Sequence, residues 1–182
     1  MNHIDVSSVL RGTVSHLYSN LVTRSTGAAV RTEIEHQLAM LRGRTVNVID
    51  FSHVGLLDFS CADEVVAKLL MRYDDAPPVD AYFLFRGVSE SHLDAIEAVL
   101  ERRGLALVVQ LADGAAHLIG AVDEKERAVW ETLCSIGTSA AADVAQTLGV
   151  TAAEVEATVD RLCRRRLVMR LDEVLVAIGG VR

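Results

Sequence analysis

Val46-Asn47-Val48-Ile49-Asp50-Phe51-Ser52-His53-Val54-Gly55-Leu56-Leu57-Asp58-Phe59-Ser60-Cys61-Ala62-Asp63-Glu64-Val65-Val66-Ala67-Lys68-Leu69-Leu70 is the stretch that decides the fold. Its β-branched opening suits a strand buried on both faces. The chain then turns through Ser52-His53-Val54-Gly55. From Ala62 the apolar residues fall at helical spacing: Ala62, Val65, Val66, Leu69 and Leu70. The pattern is a strand, a short connection and a helix. A hydroxyl and several carboxylates gather where the helix begins, and a helix start carries unpaired N–H groups and partial positive charge.

Working outward, Val9, Val14, Leu17, Leu21 and Val22 suggest a helix starting near Ser7-Ser8, although strand alternation around Thr13–Leu17 competes with it. Ser25 or Thr26 caps a helix with the stripe Val30, Ile34, Leu38 and Leu41, which ends at Arg42-Gly43. Asp74-Asp75-Ala76-Pro77-Pro78 stops the helix of the central stretch. Ala81–Phe85 is the next strand. Ser89 or Ser91 caps a helix with Leu93, Ile96, Val99 and Leu100 inward, which stops at Arg103-Gly104. Leu105–Leu111 and Ala115–Val122 form two strands around an Asp113-Gly114 turn. Strands that alternate with helices in this way predict an α/β layer with partly parallel strands. From Asp123 the pattern changes to three helices, with Val129, Trp130 and Leu133 inward on the first. Leu167–Leu171 and Val174–Ile178 then read as a hairpin. Three helices and a hairpin in about 60 residues are the pattern of a winged helix-turn-helix. The expected division is therefore 1–122, an α/β domain, and 123–182, a winged-helix domain.

The 182 residues are 51% hydrophobic, with a formal net charge of −7. No apolar run approaches the roughly 20 residues of a membrane span, and no leader-like segment opens the sequence. Cys61, Cys134 and Cys163 are odd in number and far apart, which fits reduced thiols of a cytoplasmic protein better than a disulfide framework. The acidic balance argues against a general nucleic-acid-binding surface and leaves room for a local one.

The central stretch resembles the STAS domains, found in bacterial anti-sigma factor antagonists and in the cytosolic part of sulfate transporters. In the antagonists a strand leads to Asp-Ser-Ser-Gly at a helix start, and a partner kinase phosphorylates the second Ser. Asp58 matches the Asp and Ser60 the phosphoacceptor, while Phe59 and Cys61 depart from the motif. The stretch is more similar to a STAS-like family of unknown function. There an Arg-Ser segment and a helix precede an Ile-Asp-Phe strand, and Ala-Asp-Glu opens the next helix. Here these are Arg24-Ser25, Ile49-Asp50-Phe51 and Ala62-Asp63-Glu64, and the resemblance covers roughly residues 20–112. It implies a switch at Ser60, with Asp58, Asp63 and Glu64 around it on a docking face for a protein partner such as an anti-sigma-type kinase. The plainer reading of Ser60 is a helix cap. A lowered pKa at Cys61, beside that helix start, is a further reading.

Asp58 and Asp63 also invite an acid/base or Mg²⁺ reading. The plainer one is a hydrogen-bonded turn residue and a first-turn helix acid. No nucleophile–base pair, metal-ligand set or nucleotide loop accompanies them, so neither an enzyme nor a cofactor is expected. Thr23–Gly27, with Arg24 and Arg31, reads as ordinary capping with solvated arginines. In the second domain Thr151–Arg166 is the candidate reading helix, with Ala152, Ala153, Glu156, Thr158, Arg161 and Arg165 outward. Arg161, Arg164, Arg165, Arg166 and Arg170 are the candidate DNA-phosphate contacts. Residues 123–182 nevertheless carry ten acidic against eight basic side chains. The expectation is a non-enzymatic bacterial regulatory protein whose STAS-like module docks a partner or senses a state that the winged helix reads out. The alternative is a DNA-binding transcriptional regulator whose STAS-like part dimerises or binds an effector.

Overall fold

The computed structural model describes residues 1–15, 19–74 and 78–180. Leu17 of the expected N-terminal stripe, and Asp75, Ala76 and Pro77 of the expected helix stop, lie outside the described residues. The chain runs β1 (Asn2–Asp5), α1 (Val6–Thr13), α2 (Arg24–Ala39), β2 (Thr45–Asp50), α3 (Phe59–Ala62), a π-helical segment (Asp63–Lys68), α4 (Leu69–Tyr73), β3 (Ala81–Arg86), α5 (Glu90–Arg103), β4 (Ala106–Gln110) and β5 (Ala116–Gly120). It continues through α6 (Glu124–Ile136), α7 (Ala141–Leu148), α8 (Ala152–Arg164), β6 (Val168–Leu171) and β7 (Val174–Ala177). The expected α/β class is present, as a five-stranded mixed sheet accompanied by a separate antiparallel hairpin.

The sheet order is β1-β2-β3-β4-β5, with the first four strands parallel and β5 antiparallel to β4. Parallel crossovers are almost always right-handed, so strands laid down in sequence order put every crossover helix on one face. Ile4, Ile49, Phe51, Phe83, Phe85, Leu107 and Val109 form that face, beneath buried residues of the helices between β1 and β4. β3 is apolar on both faces, with Tyr82 and Leu84 turned away from the helices. Val48, Tyr82, Leu84, Val108 and Leu118 share one buried cluster with Trp130 and Leu133 of α6, Val159 and Leu162 of α8, and Leu175 and Ile178. The C-terminal helices and hairpin therefore cover the second face of the sheet. α6 begins beside the boundary expected at 122/123, with Asp123 as its cap, but the packing across that point is continuous.

This contact is close. Gly179 has φ +84°, and a Cβ there would lie 2.6 Å from the Ala116 Cβ. Arg166 donates to Asp80 at 2.7 Å and to the Tyr73 carbonyl at 3.3 Å, with its guanidinium 5.1 Å from the Tyr82 ring centroid. Arg44 takes the other Asp80 oxygen at 2.7 Å and donates to the Arg170 carbonyl at 3.0 Å.

Several local expectations are corrected. β1 is a strand that the periodicity did not suggest, because only Ile4 of its four residues is buried. α1 starts at Val6, next to the expected Ser7-Ser8, under an Asp5 cap. Thr23, not Ser25 or Thr26, caps α2. That helix ends at Ala39, before Leu41. Ser89, one of the two expected caps, does cap α5, and Gly104 ends it at the expected place in the left-handed conformation.

Candidate functional site

The corner after β2 is held from both sides. The Asp50 carboxylate accepts from the Ser52 N–H at 2.9 Å and from its hydroxyl at 2.6 Å, which tightens the turn. Residues 55–58 then run alongside residues 19–21. The Gly55 N–H donates to the Ser19 carbonyl at 2.7 Å, Leu21 N–H to Leu56 carbonyl at 2.7 Å, and Asp58 N–H to Leu21 carbonyl at 2.9 Å. This short parallel run sets the start of α2 beside the start of α3. Gly27 permits the approach: a Cβ there would lie 3.0 Å from the Cys61 Cα and 3.1 Å from the Glu64 Cβ.

Asp58 caps α3. Its carboxylate accepts from the Cys61 N–H at 2.8 Å and from the Ser60 hydroxyl at 2.9 Å. The cap expected at Ser60 is therefore supplied by Asp58, and Ser60 is a half-buried residue of the first turn that donates to it. Burial pushes the Asp58 carboxyl up, but the Cys61 N–H and the Ser60 hydroxyl outweigh it and hold the group below its ordinary value. Burial, and then the neighbouring Asp58 charge, push the Cys61 thiol up to about 11. That is the opposite of a thiolate activated at a helix start.

Asp63 and Glu64 are placed differently from the expectation. Their side chains are 5% and 3% exposed, so neither belongs to a docking face, and Asp63 opens the π-helical segment rather than the first turn. Seven consecutive residues, Cys61–Ala67, are buried there because the helix is wedged between α2, α5 and the sheet. A π turn widens the backbone and breaks the 3.6-residue rhythm, so adjacent residues both find inward positions. Arg103 of α5 forks onto Asp63 at 2.9 and 3.1 Å. Arg24 of α2 bridges Asp63 at 3.0 Å and Glu64 at 2.9 Å. Lys68 also donates to Glu64, and Arg31 lies 3.5 Å from its second oxygen. Arg24 and Arg31 are thus counter-ions rather than purely solvated caps. Burial raises both carboxyls, and the hydrogen bonds from these cations more than offset it, so both sit below their ordinary values.

The segments that meet at this corner expose apolar side chains beside the polar Thr23, Arg24 and Ser25. Val22, Leu56 and Phe59 are 43%, 57% and 38% exposed, and the Arg102 guanidinium sits 5.8 Å from the Phe59 ring centroid. Sequence reasoning noted Phe59 only as a departure from a motif. An apolar residue inside a polar helix start was the available signal.

Sequence reasoning also missed a second cluster, at the carboxyl ends of β1, β2 and β3. Asp50 there meets Arg86 at 2.8 Å and His3 at 2.9 Å. Burial raises its carboxyl, and Ser52, Arg86 and His3 together lower it well below the ordinary range.

In the C-terminal unit four of the five candidate arginines are engaged internally. Arg161 pairs with Asp123 and Glu126, Arg165 with Glu126, Arg166 with Asp80, and Arg170 with Glu156 and Asp160. Arg164 is exposed. Thr158, expected outward, is 3% exposed and donates to the Glu154 carbonyl. Trp130 lies in the core of this unit, 2% exposed. No helix is long and apolar enough to cross a membrane among the described residues. Comparison of the chain with protein-family models, curated proteins and solved structures gives no match.

Proposed function

We propose that this chain is a non-enzymatic regulatory protein that docks a protein partner at the α2–α3 corner, with Ser60 as the switch. The observation that carries this reading is the half-buried Ser60, whose hydroxyl donates to the cap Asp58 at a corner whose paired segments carry exposed Val22, Leu56 and Phe59. Exposed apolar side chains on the same corner as a modifiable hydroxyl suit a protein interface. Phosphorylation of Ser60 removes the donor that Asp58 accepts from and adds nearly two negative charges beside it. The phosphate then competes with Asp58 for the N–H groups of the helix start while repelling its carboxylate. The strand–corner–helix unit at residues 45–73 supports the STAS-like reading, and by that resemblance an anti-sigma-type kinase is the partner class.

Three helices followed by a hairpin support the winged-helix reading of residues 123–182, and its continuous core with the sheet offers a route by which docking reaches it. Arg164, exposed on α8, keeps a DNA-binding regulator as the second reading. In that reading Arg161, Arg165, Arg166 and Arg170 must first leave their internal partners. A DNA probe shifted at low salt, with the shift lost in Arg164→Ala, favours it.

The primary reading is tested by capturing partners with the wild-type chain, Ser60→Ala, Ser60→Asp and Leu56→Asp/Phe59→Asp. We expect a partner held by wild type and Ser60→Ala, and lost with Ser60→Asp and with the double variant. The same partner held by all four chains overturns it.

A further inference from the structure

β5 is one edge of the five-stranded sheet. Its register with β4, together with the bonds from Ala121 N–H to Leu105 carbonyl and from Leu111 N–H to Ala115 carbonyl, puts the ladder bonds on residues 115, 117, 119 and 121. An antiparallel ladder alternates, so the backbone N–H and C=O groups of Ala116, Leu118 and Gly120 face away from the sheet. The chain takes two of these carbonyls itself. Arg127 donates to that of Leu118 at 2.8 Å, and the Val122 N–H donates to that of Gly120 at 3.0 Å. Among the described residues no partner takes the three outward N–H groups or the Ala116 carbonyl, which are open to another strand.

A cleft of about 550 Å³ runs along this edge between α5 and α6. Glu97 and Glu101, one turn apart on α5, line it from one side, and Glu131 of α6 from the other. All three are exposed, and none forms an ion pair among the described residues. Trp130 also lines the cleft. It is 2% exposed, and its indole N–H has no acceptor among the described residues. A buried donor without an acceptor is costly to leave unmet.

We propose that the β5 edge binds an extended basic segment of a partner protein, which adds as a sixth strand with its cationic side chains against Glu97, Glu101 and Glu131. Strand addition draws on main-chain hydrogen bonds for affinity and on flanking pockets for specificity. Successive side chains of an added strand point to opposite faces. Two adjacent Lys or Arg residues therefore reach the α5 glutamates and Glu131 at once, whereas strictly alternating ones reach only one side. This site is on a different part of the molecule from Ser60 and does not rest on the role assigned there.

The test uses the full chain and an acetylated, amidated peptide, Thr-Val-Thr-Arg-Lys-Val-Thr-Val-Thr. Trp130 is the only tryptophan in the chain, so its fluorescence reports occupation of the cleft. We expect a saturable change in emission, weakened about tenfold in Glu97→Gln/Glu101→Gln/Glu131→Gln, as the loss of exposed ion pairs to the two peptide cations implies. N-methylation at alternate peptide residues should abolish binding in one of the two frames and spare the other, because only one row of amides faces β5. No saturable change, unaltered affinity in the triple variant, or equal binding by both N-methylated frames overturns the proposal. So does self-association of the chain in place of peptide binding.

Discussion

The Asp58 carboxylate accepts from the Cys61 N–H and the Ser60 hydroxyl at once, so the two side chains of this corner have unequal tasks. Asp58 supplies the N-cap, and loss of such a cap costs about 0.5–2 kcal/mol. Ser60 adds a hydrogen bond to a carboxylate that is already satisfied by the backbone. Urea denaturation should therefore show Asp58→Ala destabilised within that range and Ser60→Ala destabilised by less than Asp58→Ala, because the Cys61 N–H still satisfies the carboxylate. Equal losses would return the cap to Ser60. The sequence carried the grouping of Asp58, Ser60 and Asp63 at a helix start, because small polar residues between an apolar strand and an apolar helix are a local pattern. It did not carry which residue accepts and which donates. That depends on the dihedral angles of the corner, which the pairing of residues 55–58 with 19–21 sets from more than thirty positions away.

In the π-helical segment the positions of the acidic residues depart from the helical periodicity. Periodicity assigned Ala62, Val65, Val66, Leu69 and Leu70 to one face and left Asp63 and Glu64 to solvent. Both go inward, because arginines on α2 and α5 reach them and the widened turn allows it. Local spacing cannot reveal counter-ions that arrive from residues 24, 31 and 103. Both carboxyls have folded pKa values below their ordinary 3.8 and 4.5. The unfolded chain thus binds protons that the folded chain does not, and stability rises with pH across that window. The contribution is complete above the ordinary values and is lost as pH falls through the lower folded ones. Urea midpoints measured from pH 7 to pH 3 should fall on this acid limb, and Asp63→Asn/Glu64→Gln should flatten it while lowering stability at pH 7. An unchanged limb would mean that other groups set it.

At the scale of the molecule, two layers on opposite faces of one sheet make a single structure of what the sequence divides at residue 122. The continuous apolar run of β3, and the β-branched run of β2, implied strands covered on both sides. Which part of the chain supplies the second cover was not legible, because contacts such as Gly179 on Ala116 are made between residues more than sixty positions apart. Cooperative unfolding should follow from this shared core. Trp130 fluorescence reports the C-terminal unit and far-UV circular dichroism the whole chain, and their thermal transitions should coincide. Two separated transitions would show that the units unfold independently, leaving no rigid route from the corner to residues 123–182. The Ser60 switch is tested most directly in the living cell. Phosphosite mass spectrometry of the chain isolated from its own cells, with free and partner-bound fractions analysed separately, should find Ser60 phosphorylated in the free fraction and unmodified in the bound one. An unmodified Ser60 in both fractions would contradict the switch.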